Sequence, residues 1–114
     1  MTTENWRDKT NQELSMADAA RRAENEGRAR VCARRAAGHV IGEYFARNQI
    51  EFESVSALER IRYIYSSPDI EPGLQELIGH FLVHTTPEHE LPIDADLIAD
   101  VDLLARHLLG ESPS

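Results

Sequence analysis

"GRARVCARRAAGHVIGEYF", residues 27–45, sets four arginines (Arg28, Arg30, Arg34 and Arg35) ahead of two alanines, a glycine and a lone histidine, and then turns apolar and aromatic. Val31, Cys32, Ala36, Ala37, Val40, Ile41, Tyr44 and Phe45 recur in steps of three and four, the period of one helix face. The spacing predicts a helix from Arg28 to about Asn48, with Arg28, Arg35 and Glu43 largely off the apolar face. Ala36, Ala37 and Gly38 remove side-chain bulk at its middle. Small residues there admit a close neighbouring backbone, a packing reason for a glycine that costs about 1 kcal/mol in helix propensity. This segment is expected to be the most buried helix.

Helical periodicity continues on both sides, and no stretch alternates as a strand does. Residues 1–10 read as a frayed segment. A first helix is predicted from about Asn11 to Glu26, with Leu14, Met16, Ala17, Ala20 and Ala23 as its apolar positions and Gly27 as the break. Residues 48–54 read as a connection. Ser54 is the expected cap of a helix that carries Ala57, Leu58, Ile61, Ile64 and Tyr65. After the loop 66–73, Pro72 suits a first helical turn. Leu74, Leu77, Ile78, Phe81 and Leu82 follow as the clearest stripe in the chain. A second loop spans 85–92. Asp94 is the expected cap of a last helix with Leu97, Ile98, Val101, Leu104, Ala105 and Leu108, closed by Gly110, and residues 111–114 read as tail. Together these predict one all-α domain over residues 11–110, a four- or five-helix bundle of the up-and-down type.

The chain has 114 residues, enough for one core. Its net charge of −8 is unevenly spread: residues 1–48 hold nine Lys/Arg against seven Asp/Glu, while residues 49–114 hold three arginines against thirteen acids. Such a chain as a whole repels nucleic acid, whose binding is driven by counterion release onto cations. The expected use of the arginines is pairing with the acids of the second half, within one chain or across a homodimer. No apolar run approaches the ~20 residues needed to cross a bilayer, so no membrane partner is expected. The polar start, MTTENWRDKT, has no cationic lead into an apolar stretch, and the cytoplasm is the expected compartment. Cys32 is the only cysteine and reads as a small buried residue. Trp6, in a polar context, reads as an anchor onto the bundle or a partner.

Two constellations carry possible chemistry. Arg28, Arg30, Arg34 and Arg35, with Arg21 and Arg22 before them, form an arginine-rich stripe in a chain with one lysine, Lys9. Guanidinium groups fork carboxylates and phosphates, so this stripe is the candidate binding surface. His80 and His84 stand i, i+4, a spacing that places two imidazoles on one metal, and His89 follows between Glu88 and Glu90. Phe81 occupies the position that a glutamate holds in HExxH. These histidines are therefore metal-ligand candidates beside an expectation of no bound metal, and no pattern calls for a cofactor. The glycines match neither GxGxxG nor GxxxxGK[ST].

Arg34 and His39 form an Arg-x4-His pattern that resembles the signature of HEPN-like helical domains. That resemblance implies metal-independent RNA cleavage, with an arginine on the phosphorane charge and the histidine moving a proton. Arg35 stands where the family's motif has a polar, non-basic residue. A spacing of five puts Arg34 and His39 about 140° apart around a helix, whereas Arg35 and His39, four apart, share a face. Two functions follow: a non-catalytic binding module that dimerises and docks a protein partner, or a HEPN-like domain handling nucleotides or RNA with Arg34, Arg35 and His39. We rank the binding module first. In that reading Arg34 and Arg35 make ion pairs and His39 is partly buried.

Overall fold

The computed structural model describes residues 5–83 and 96–113. The described residues form five α-helices and no strand: α1 (Trp6–Arg22), α2 (Glu26–Arg47), α3 (Ala57–Tyr65), α4 (Pro72–Gly79) and α5 (Leu97–Leu109), with a 3-10 turn at His80–Leu82. This is the all-α bundle that the periodicity predicts. α2 is its spine, packed against α1, α3 and α5.

The buried face of α2 consists mainly of small residues. Ala29, Cys32, Ala33, Ala36 and Ala37 are fully buried and lead into Val40, Ile41 and Phe45. With so little bulk on α2, the helices around it approach closely and supply the volume: Ile61, Ile78, Phe81, Leu97, Val101 and Leu104 fill the shared core. Val31, expected on the apolar face, is instead 43% exposed. The tightest approach lies at Gly38, where an added Cβ would stand 2.7 Å from the Ala57 Cβ and 2.9 Å from its Cα. The Gly38 carbonyl also accepts a hydrogen bond from the Arg60 guanidinium at 3.0 Å.

Helix ends differ from the expected ones where a side-chain cap outweighs apolar spacing. α1 begins at Trp6, inside the segment read as frayed. The Asn5 side chain accepts from the Asp8 N–H, Trp6 packs on the core, and the Arg7 guanidinium stacks over the Trp6 ring at 5.0 Å. The break between α1 and α2 falls at residues 23–25, not at Gly27. Glu24 takes the left-handed conformation (φ 61°) and Asn25 caps α2 through the Arg28 N–H. Gly27 lies inside the first turn of α2. Ser56, not Ser54, caps α3, while the Ser54 hydroxyl accepts from the Ser56 N–H at 3.1 Å. Pro72 opens α4 and Gly110 (φ 69°) closes α5, both as expected. α5 is capped by Asp96, which accepts from the Ile98 and Ala99 N–H groups; Asp94 lies outside the described residues.

The segment after Gly110, read as tail, is held by side chains from three helices. Glu111 pairs with Arg7 at 2.6 Å and with Arg47 at 2.7 Å. The Ser112 hydroxyl donates to Asp102, and Asn11 donates to the Pro113 carbonyl. The first turns of α1 and residues 111–113 thus meet on one side of the bundle. No helix among the described residues is long and apolar enough to cross a membrane.

Candidate functional site

Sharing one helix does not bring the arginines to one environment. Arg21 pairs with Glu26 at 2.9 Å and with Asp96 at 3.0 Å, so its guanidinium is held charged beyond its ordinary range, chiefly by the Glu26 bond. Arg22 pairs with Asp18 on its own helix. Arg21 on Asp96, with Arg7 and Arg47 on Glu111, realises the expected pairing of first-half cations with second-half acids, whereas Arg22 pairs within the first half.

Arg30, Arg34 and Arg35 line a cleft of about 480 Å³ between the N-terminal half of α2, residues 56–58 at the start of α3, and Phe81–Leu82 of the 3-10 turn. Its apolar surface comes from Val31, Ala57, Leu58, Phe81 and Leu82, and no acidic residue lines it among the described residues. Val31 and Leu58 are 43% and 38% exposed, unusually open for aliphatic side chains beside a core. Arg30 is buried at the base, with Glu26 at 3.9 Å. Arg34 is half-buried and does not make the expected ion pair. It donates from Nε to the Phe81 carbonyl at 2.8 Å and from a terminal nitrogen to the Val83 carbonyl at 3.2 Å. Burial lowers its pKa, and the neighbouring Arg30 charge adds to that. Arg34 therefore fastens the 3-10 turn to α2: unpaired carbonyls at the end of a helical segment take a cation's donors.

Arg35 is exposed and, among the described residues, its side chain has neither an ion pair nor a hydrogen bond; the same holds for Arg28. The ion pair expected of Arg35 is absent there. Arg28, Val31 and Arg35 follow at i, i+3 and i+7, so two guanidinium groups with no partner among the described residues flank an exposed valine along one helix face.

His39 is half-buried, as expected, and lines a different cavity of about 290 Å³ with Trp6, Lys9, Gly42, Glu43 and Arg60. Arg34 and His39 are therefore not brought to one cavity. His80 is bonded through Nδ1 to the Asp100 carboxylate at 3.0 Å, joining the 3-10 turn to α5. His84 and His89 lie outside the described residues, and among those described no three His, Cys, Asp or Glu side chains cluster closely enough to hold a metal. Cys32 is fully buried as a free thiol.

Sequence reading missed the Glu111 clamp, the Arg60 bond to Gly38 and the His80–Asp100 pair. Each joins residues at least twenty apart in a way that no local spacing signals. The exposure of Val31 was legible in one respect: it shares a helix face with Arg28 and Arg35. No protein-family model, curated protein or solved structure matches this chain.

Proposed function

We propose that this protein is a non-catalytic interaction module that docks an acidic protein segment in the cleft between α2, the start of α3 and the 3-10 turn. The observation that carries the reading is an open aliphatic surface, Val31 with Leu58, bordered by arginines and, among the described residues, by no acid, in a chain whose net charge is −8. Apolar contact with carboxylate pairing at the rim is the chemistry of protein interfaces, in which arginine is enriched. A nucleic acid suits the cleft poorly. Its one aromatic residue, Phe81, is fully buried and offers no face for base stacking. The proposed compartment is the cytoplasm, in keeping with a lone, buried, reduced cysteine.

The HEPN-like alternative asks one arginine and His39 to act on a single phosphate. Arg34 is held by the Phe81 and Val83 carbonyls through two of its five N–H donors, and His39 lines another cavity. Two measurements test the choice. An acidic peptide carrying one leucine, titrated into the labelled protein, should shift the amide resonances of Val31, Leu58 and Leu82, and its lysine counterpart should not. Absence of any shift from the acidic peptide refutes the docking reading. Incubation with a mixed RNA pool without divalent metal should leave the RNA intact; cleavage that disappears in His39→Ala would establish the ribonuclease instead.

A further inference from the structure

An acidic segment stands exposed on the surface of the same molecule. After α2 the chain reverses: the Ile50 N–H bonds back to the Phe45 carbonyl at 2.9 Å, the Phe52 ring packs 5.2 Å from the Phe45 ring, and Ala57 reaches Gly38. Residues 51–57 therefore run beside the C-terminal half of α2, back toward its middle. Within this extended run Phe52 and Ser54 are half-buried, while Glu51, Glu53 and Val55 are exposed, the two-residue alternation of an extended chain. Val55 is 84% exposed, the most open large apolar side chain described. Neither Glu51 nor Glu53 has a side-chain partner among the described residues.

Exposed charges of opposite sign thus stand beside the two halves of α2, with Arg60 and Arg62 also near the C-terminal half. Arg28 and Arg35 stand about 10 Å apart beside the N-terminal half, and Glu51 and Glu53 lie beside the C-terminal half. Between them run Val31, Leu58 in the same cleft, and Val55 three residues before Leu58. A two-fold rotation about this apolar middle lays the cationic half of one copy on the acidic half of another and makes every contact twice, the arrangement of an isologous dimer.

We propose that the occupant of the cleft is a second copy of this chain, with Glu51, Glu53 and Val55 of each protomer seated against Arg28, Val31 and Arg35 of the other. This rests on the docking reading above and names its partner. Sedimentation of the full chain at micromolar concentration should report about twice the 12.9 kDa chain mass. Arg35→Glu and Glu53→Arg should each weaken the dimer on the order of tenfold or more. Both residues are exposed, so the melting temperature of the protomer should be kept. An equimolar mixture of the two variants should regain the dimer, because the hybrid restores opposite charges at both symmetric contacts. Val55→Asp should weaken it with no such rescue by either variant. A dimer indifferent to all three substitutions overturns the proposal. So does a monomeric wild type. If that monomer still binds the acidic peptide through Arg35, the second copy is refuted as the occupant and the docking reading stands; if it binds neither, both fall.

Discussion

Gly38 and Gly73 are both helical glycines with opposite reasons for being there. An added Cβ at Gly38 meets the Ala57 backbone, whereas nothing lies within 4 Å of one at Gly73. Gly38→Leu should therefore overpack the α2–α3 crossing and cost about 1–3 kcal/mol. Gly73→Ala should stabilise by about 0.5–1 kcal/mol, through helix propensity and a less flexible unfolded chain. Thermal melts of the two variants should move in opposite directions; an unchanged Gly38→Leu midpoint would deny the close approach. The arginines divide in the same way. Arg34→Ala leaves two carbonyls without their cationic donor in a half-buried turn and should cost about 1–3 kcal/mol. Arg35→Ala removes no bond to any described residue, and the protomer should keep its stability to within about 0.5 kcal/mol. A larger loss for Arg35 than for Arg34 would reverse these roles.

At the scale of elements, the 3-10 turn is held from two sides. Arg34 fastens its carbonyls to α2, and His80 fastens its start to α5 through Asp100. The cleft depends on this turn, because Phe81 and Leu82 form one of its walls. Arg34→Ala should consequently raise amide exchange at residues 80–83 before it affects α1, as expected of a locally opening unit. Uniform change across α1 and the turn would show that the turn has no separate stability. Helix boundaries teach the same lesson. Asn5, Asn25, Ser56 and Asp96 each begin a helix by accepting a backbone N–H, and all four starts differ from those expected of the sequence.

Across the whole molecule, acids distant in sequence hold the ends together. Glu111 lies below its ordinary 4.5 because Arg47 and then Arg7 bond its carboxylate. Asp102 lies below 3.8, chiefly through the Ser112 hydroxyl bond and further through Arg106. At Asp96, burial is the largest single influence and acts upward, but the Arg21 and helix-cap bonds together outweigh it. A carboxyl whose folded pKa is depressed contributes stability that is fully present above its unfolded pKa and is lost as pH falls through the folded one. Stability should thus hold down to about pH 4.5 and fall progressively below that. Glu111→Gln should flatten the acid limb of a plot of melting temperature against pH. An identical limb in that variant would show that the clamp does not couple to folding.

The all-α class, the central place of residues 28–48, the Pro72 start and the Gly110 stop were determined by the sequence itself. Each rests on local physics: a period of 3.6 residues, a missing N–H, a left-handed turn. The arginine stripe was legible as a stripe, but not which of its members would be spent. Tertiary structure alone decided that Arg21 meets Asp96, that Arg34 is consumed by a turn forty-seven residues away, and that Arg28 and Arg35 remain exposed beside Val31. The physical reason is that a guanidinium binds whichever acceptors folding brings within 3 Å, and those are chosen by the packing of a core to which the arginines themselves contribute little.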